Sequence, residues 1–122
     1  MSAKGEFLGG ALAPGIEISL DALASRAAQL RKVELVRPRS VIGKNTVEAL
    51  QSGALYGFAG QVDDLVERII AELGPVTAVV ATGGLAPIVV AESHGITNHE
   101  PELTLTGLRL VFDKNIDPTP TG

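Results

Sequence analysis

No cysteine occurs in the 122 residues. A disulfide framework and thiolate chemistry are therefore both excluded. Aromatic residues are almost as scarce, with three phenylalanines, one tyrosine and no tryptophan. Phe7, Tyr56, Phe58 and Phe112 cannot fill a core, so packing must rest on Val, Leu, Ile and Ala. Positive charge is thin, and the net charge is −4. The densest basic group (Arg31, Lys32, Arg37, Arg39, Lys44) is interrupted by Val and Leu, so nucleic acid is not an expected partner. No apolar run approaches the ~20 residues of a membrane span, and Met-Ser-Ala-Lys-Gly-Glu has no signal-peptide h-region. No membrane partner is expected, and the cytoplasm is the expected location.

What remains is a chain of single-domain length, 45% hydrophobic and 20% charged. Lys4-Gly5 is a turn signal, and Glu6-Phe7-Leu8 after it reads as a strand. Asp21 to Leu30 reads as a helix, with Leu20, Leu23, Ala24, Ala27 and Leu30 at helical spacing and Ser19 as a candidate N-cap. Val33 to Val36 is short and extended, and Pro38 keeps the chain extended through Arg37. A long helix is predicted from Thr46. Asn45 is its N-cap, Glu48 three residues on completes a near capping box, and Gly74-Pro75 ends it. Val62, Leu65, Val66, Ile69, Ile70 and Leu73 form its apolar stripe, with Asp63, Asp64, Glu67 and Arg68 away from it. Gly53, Gly57 and Gly60 share a face in its first half, each costing ~1 kcal/mol against alanine in a helix. Such a face suits close approach by another backbone.

The apolar run Val76–Ala81 predicts a strand buried on both faces. Leu85 to Ala91 fits either a helix opened by Pro87 or a strand. His94, Asn98 and His99 fall in an expected polar loop. Leu105, Leu108, Val111 and Phe112 mark a last amphipathic helix, with Lys114 near its C-terminus. Asp117 to Gly122 reads as a disordered tail, leaving 1–116 as the domain. Strands alternating with helices give an α/β class.

Gly43-Lys44-Asn45-Thr46 resembles a phosphate loop at first sight. A Walker A loop needs a glycine separated by four residues from the Gly-Lys pair. Pro38 stands there, without an N–H, and Asn45 follows the lysine where Ser or Thr is required. The alternatives are a capped helix start, or a helix N-terminus whose free N–H groups and Thr46 take an anionic or polar ligand. Thr82-Gly83-Gly84 ends the predicted buried strand, at the sheet edge where α/β proteins bind ligands. An ordinary tight turn is the plainer reading. His94 and His99 lack a third ligand, so no metal site is expected. The carboxylates lie on helix faces and read as solvated.

GEFLGGALAPG, SLDALASRAAQL, RPRSVIGKNTVEALQSGALYGFAGQVDDLV, VVATGGLAP and LTLTGLRLVFDKN together resemble the C-terminal half of a type III pantothenate kinase. The resemblance spans Ala3 to about Asn115. It implies ATP-dependent phosphorylation of pantothenate in coenzyme A biosynthesis. It also implies the acetate kinase, sugar kinase, Hsp70 and actin fold, here its C-terminal ribonuclease-H-like domain without the first strand. Implied accompaniments are ATP, a monovalent cation (potassium or ammonium), magnesium, and a homodimer. By the same resemblance Thr46 meets pantothenate, Thr82, Gly83 and Gly84 lie by the nucleotide, and Gly53, Gly57 and Gly60 lie where subunits meet.

The family's D-x-G-N, G-x-D-R and D-x-G-T segments are not in the sequence. The catalytic Asp is therefore expected outside this chain, as is the cation ligand. The chain is expected to be inactive alone, with the N-terminal half as the completing partner. A non-catalytic dimerisation or ligand-binding module is the alternative.

Overall fold

The computed structural model describes residues 1–26, 33–84 and 86–116. In chain order the elements are helix α1 (Ile16–Arg26), helix α2 (Thr46–Leu73), strand β1 (Val80–Ala81), helix α3 (Ala86–Val90), strand β2 (Asn98–His99) and helix α4 (Leu103–Asn115). β1 and β2 pair in parallel, Val80 opposite Asn98 and Ala81 opposite His99, with α3 between them in sequence. This is a mixed α/β arrangement. The predicted tail Asp117–Gly122 and the predicted helical residues 27–30 lie outside the described residues.

α2 is the organising element. Asn45 Oδ1 accepts the Glu48 N–H at 2.9 Å, and Glu48 Oε2 accepts the Lys44 N–H at 2.9 Å. Both arms of the expected capping box are present, although the second reaches Lys44 rather than the cap residue. At the other end Gly74 takes φ 83° and donates its N–H to Ile70 O at 2.8 Å. A positive φ there is what glycine permits.

The buried side chains gather on the first half of α2. Leu55 has no exposed surface, Ala54 and Ala59 flank it, and Ile16 from the start of α1 joins them. Two buried polar groups on the same face hold the extended segment before the helix. Gln51 Nε2 donates to Glu34 O at 3.0 Å, and Ser52 Oγ donates to Val41 O at 2.5 Å. Both are satisfied, as burial of polar atoms requires. α1 and α3 pack on α2, and α3 also meets β2.

Several expectations are corrected. α1 begins at Ile16 because Gly15 O accepts the Ser19 N–H at 3.0 Å, so Ser19 lies inside the helix and is not its cap. Glu6–Leu8 forms no strand. The turn before it does form, with Gly5 at φ 81° and the Ser2 hydroxyl accepting the Lys4 and Glu6 N–H groups. Of the run Val76–Ala81 only Val80 and Ala81 are strand, and Val80 is 47% exposed. Among the described residues β1 has a strand neighbour on one edge alone. Asn98 and His99, expected in a loop, form β2. The segment after Gly84 resolves as helix for Ala86–Val90, with Leu85 outside the described residues. α4 forms as predicted but buries no residue, and Phe112 is 65% exposed.

Candidate functional site

The predicted ligand residues occupy two positions. Thr46 is the first residue of α2 and is exposed. The cap occupies the Glu48 N–H, and Asn45 O takes the Ala49 N–H at 2.9 Å. The N–H groups of Thr46 and Val47 carry no intramolecular bond in the described residues. They are the two orphan donors at the positive end of a 28-residue helix. Gly43 explains why the stretch begins with glycine. A Cβ there would lie 2.7 Å from Ala49 Cα and 2.7 Å from Glu48 C. Only a residue without a side chain lets this backbone press against the first turn, which fixes where the chain enters α2.

Thr82-Gly83-Gly84 leaves β1 at its C-terminal end and leads to α3. All three residues are exposed, and Gly83 takes φ 102°. No side chain stands over its backbone, and a Cβ added at Gly84 would meet nothing within 4 Å. A flat ring could approach there. Gly53, Gly57 and Gly60 are all exposed on α2, and a Cβ at any of them would meet nothing within 4 Å. Among the described residues nothing covers the glycine face.

One organising residue escapes sequence reasoning. Asp63, read as a solvated helix carboxylate, anchors the loop between α3 and β2. Its Oδ1 accepts the Ser93 hydroxyl at 2.5 Å, the His94 N–H at 3.0 Å and the Gly95 N–H at 2.9 Å. The Ser93 hydroxyl first, then the Gly95 and His94 amides, hold its carboxyl far below the usual carboxylate range, against an opposing effect of partial burial. A Cβ at Gly95 would come 3.2 Å from Asp63 Oδ1 and 3.2 Å from Val66 Cγ1, so the loop lies tight on α2. Ser93, His94 and Asp63 do not form a nucleophile relay. Ser93 Oγ bonds the carboxylate itself, and His94 Nδ1 lies 3.3 Å from the other oxygen on a side chain that is 94% exposed. A relay needs the hydroxyl on the imidazole.

A second tie joins the same region to the Arg37-Pro38 segment. Arg37 Nε lies 3.2 Å from Glu92 Oε1, whose side chain is 13% exposed. Tyr56 first and Glu92 second hold the Arg37 guanidinium above its ordinary value. Asp64 and Arg68, one helical turn apart and both exposed, pair at 2.7 Å on the outer face of α2. No group of three or more His, Asp or Glu among the described residues could hold a metal ion. No helix there is long and apolar enough to cross a membrane.

The family described as Type III pantothenate kinase matches residues 1–68, over half of the chain. This chain belongs to the type III pantothenate kinase family. Among curated proteins, a type III pantothenate kinase of Saccharopolyspora erythraea is 77% identical over 119 residues, covering 94% of this chain and 45% of the relative. Those of Salinispora arenicola and Frankia alni are 70% and 73% identical, each over 95% of this chain and 46% of their own length. The chain therefore spans about half the length of the curated relatives it matches. For a type III pantothenate kinase, α2 with its capped start and the parallel β1–β2 pair are the parts present here.

Proposed function

We propose that this chain supplies ligand-binding parts of a type III pantothenate kinase, which transfers phosphate from ATP to pantothenate in coenzyme A biosynthesis. The observation that carries the reading is the start of α2. Gly43 packs on the first turn, Asn45 and Glu48 fix the cap, and Thr46 stands exposed beside two unpaired N–H groups. Pantothenate is a carboxylate with hydroxyl and amide groups. Two orphan donors at a positive helix end and a threonine hydroxyl suit it. Thr46 is assigned as its ligand.

Thr82, Gly83 and Gly84 are assigned to the nucleotide, because they stand at the C-terminal edge of a parallel pair, where α/β sheets take ligands. Gly53, Gly57 and Gly60 are assigned to a subunit contact in a homodimer. Three glycines on one helix face weaken the helix and meet nothing among the described residues, whereas a second backbone against them would compensate. The domain is read as the ribonuclease-H-like half of an actin-like ATPase fold without its first strand, acting in the cytoplasm.

Potassium or ammonium, and magnesium, are assigned to the complete enzyme; among the described residues no group of three or more His, Asp or Glu could hold a metal ion. The Glu48 carboxylate at the same helix start accepts the Lys44 N–H as part of the cap, and the catalytic Asp is read as lying outside this chain. Phosphoryl transfer depends on positioning and charge stabilisation, so this chain alone should not turn over. A steady-state assay of pantothenate phosphorylation tests the reading. In a complete enzyme, Thr46→Val should raise the Kd for pantothenate and leave ATP binding unchanged, and unchanged pantothenate affinity would refute the Thr46 assignment.

A further inference from the structure

The loop between α3 and β2 is pinned from two sides. Asp63 of α2 accepts the Ser93 hydroxyl and the His94 and Gly95 N–H groups. Arg37, from the segment that leads into α2, pairs with Glu92 at the start of the loop. Ile96 alone separates Gly95 from Thr97, and Thr97 is where the loop meets β1. The Thr97 N–H donates to Val79 O at 3.0 Å, and its hydroxyl oxygen accepts the Val79 N–H at 2.9 Å. The Glu100 N–H then donates to Ala81 O at 2.9 Å, and Ala81 directly precedes Thr82. A short series of hydrogen bonds and chain links thus runs from a carboxylate on α2 to the start of Thr82-Gly83-Gly84.

Among the described residues β1 and β2 are two strands of two residues each. A two-stranded pair is marginal on its own. Thr82, Gly83 and Gly84 are exposed, and Gly83 sits at φ 102°, so burial does not fix their path. Their place is set through the strand that carries them, and that strand is set through the loop. Hydrogen bonds to a carboxylate are about twice as strong as neutral ones. Three of them converge on Asp63, and Gly95 lies so close to Val66 that the loop has little room to shift.

We infer that Asp63 is a positioning residue for the nucleotide: through the loop Ser93–Gly95 and β2 it sets where Thr82, Gly83 and Gly84 stand relative to α2. The inference rests on the reading of those three residues as nucleotide ligands and adds the group that aims them. Asp63 touches no reacting atom and acts only through the loop. The effect is selective. Thr46, at the start of α2, is held by the Asn45–Glu48 cap and not by this loop. Asp64, the next residue, pairs with Arg68 on the outer face and has no part in it.

Two measurements test it. In the chain itself, NMR relaxation of the backbone amides reads the edge directly. Asp63→Asn should lower the order parameters of Gly83, Gly84 and Glu100, while those of residues 46–55 hold. Ser93→Ala removes one bond and keeps the carboxylate. It should show the same change in weaker form, and it stands in if Asp63→Asn does not fold. Unchanged order at Gly83 and Gly84 in both variants overturns the inference and leaves the nucleotide assignment standing. The second measurement uses a complete enzyme, made by placing this chain's residues in the aligned region of the Saccharopolyspora erythraea relative. There Asp63→Asn should raise KM for ATP by about tenfold, since a misplacement of the order of 1 Å can cost about a hundredfold. KM for pantothenate and kcat should stay within about twofold, as both should for Asp64→Asn. An equal rise in the two KM values marks a general loosening and overturns the inference. Lowered order at Gly83 and Gly84 with an unchanged KM for ATP defeats the nucleotide reading of those residues, and the inference with it.

Discussion

Replacing Asp63 with asparagine should destabilise the chain in a way that depends on pH. One carboxylate oxygen accepts a hydroxyl and two backbone N–H groups from three successive loop residues. Hydrogen bonds to a charged group contribute about 1.5–3 kcal/mol each where they are well shielded. These share one acceptor, are not additive, and the side chain is 26% exposed. Asparagine keeps an acceptor oxygen but loses the charge and turns a donor toward the amides. A loss of about 1–2 kcal/mol is expected for Asp63→Asn, and about 2–3 kcal/mol for Asp63→Ala, which leaves the amides without an acceptor.

Urea unfolding at pH 7 measures it. With a slope of about 2 kcal/mol per molar, the midpoint should fall by roughly 0.5–1 M for the asparagine variant. The sign with pH follows from the lowered carboxyl. The unfolded chain takes up its proton near pH 3.9, whereas the folded chain resists it, so folding competes with protonation. The wild-type advantage is complete well above pH 4 and shrinks as pH falls from there toward the lowered folded-state value. Asp64→Asn is the control, since Asp64 pairs only with Arg68 at the exposed surface, and its midpoint should stay where it is. A midpoint for Asp63→Asn equal to wild type at pH 7, or a difference that does not change between pH 7 and pH 3, would refute the reasoning.

Gly43→Ala should destabilise by about 2 kcal/mol or more, because the new methyl meets backbone that cannot swing aside; chemical denaturation reads it. Leu55→Ala should lose about 2–5 kcal/mol in the same assay, since Leu55 is fully buried. Gly57→Ala separates the two roles of the glycine face. In this chain it should stabilise by up to ~1 kcal/mol through helix propensity, whereas in a dimeric enzyme it should weaken subunit association measured by sedimentation. Stabilisation in both settings would remove the glycines from the subunit contact.

Much of the local structure was legible because its causes are local. The Asn45–Glu48 cap, the Gly74 stop and the Lys4-Gly5 turn each depend on residues within one helical turn, and each formed. The helical stripe of α2 was legible as a pattern, but not which part would be buried. The core settled on Leu55 and the two alanines beside it, where small side chains let α1 close in. The later stripe from Val62 to Leu73 stays partly bare, since no group of described residues covers it all.

The strand Val76–Ala81 was over-read for the same reason. An apolar run reports the burial that a sequence is suited to, not the neighbours present. Asp63 was missed because its partners lie 30 to 32 positions away. Its only signal was a small-residue loop, Ser93 to Gly95, able to aim N–H groups at a carboxylate. Thr46 and Thr82-Gly83-Gly84 stand where the sequence placed them, at a helix start and a strand end, each exposed.

The central claim is that this chain carries ligand-binding parts of a pantothenate kinase but not the groups that perform the transfer. The direct measurement is ATP-dependent formation of phosphorylated pantothenate, first by the purified chain and then by the chain mixed with the unmatched segment of the Saccharopolyspora erythraea relative. No turnover above background for the chain alone, and turnover in the mixture, is the predicted pair of results. Robust turnover by the chain alone would contradict it.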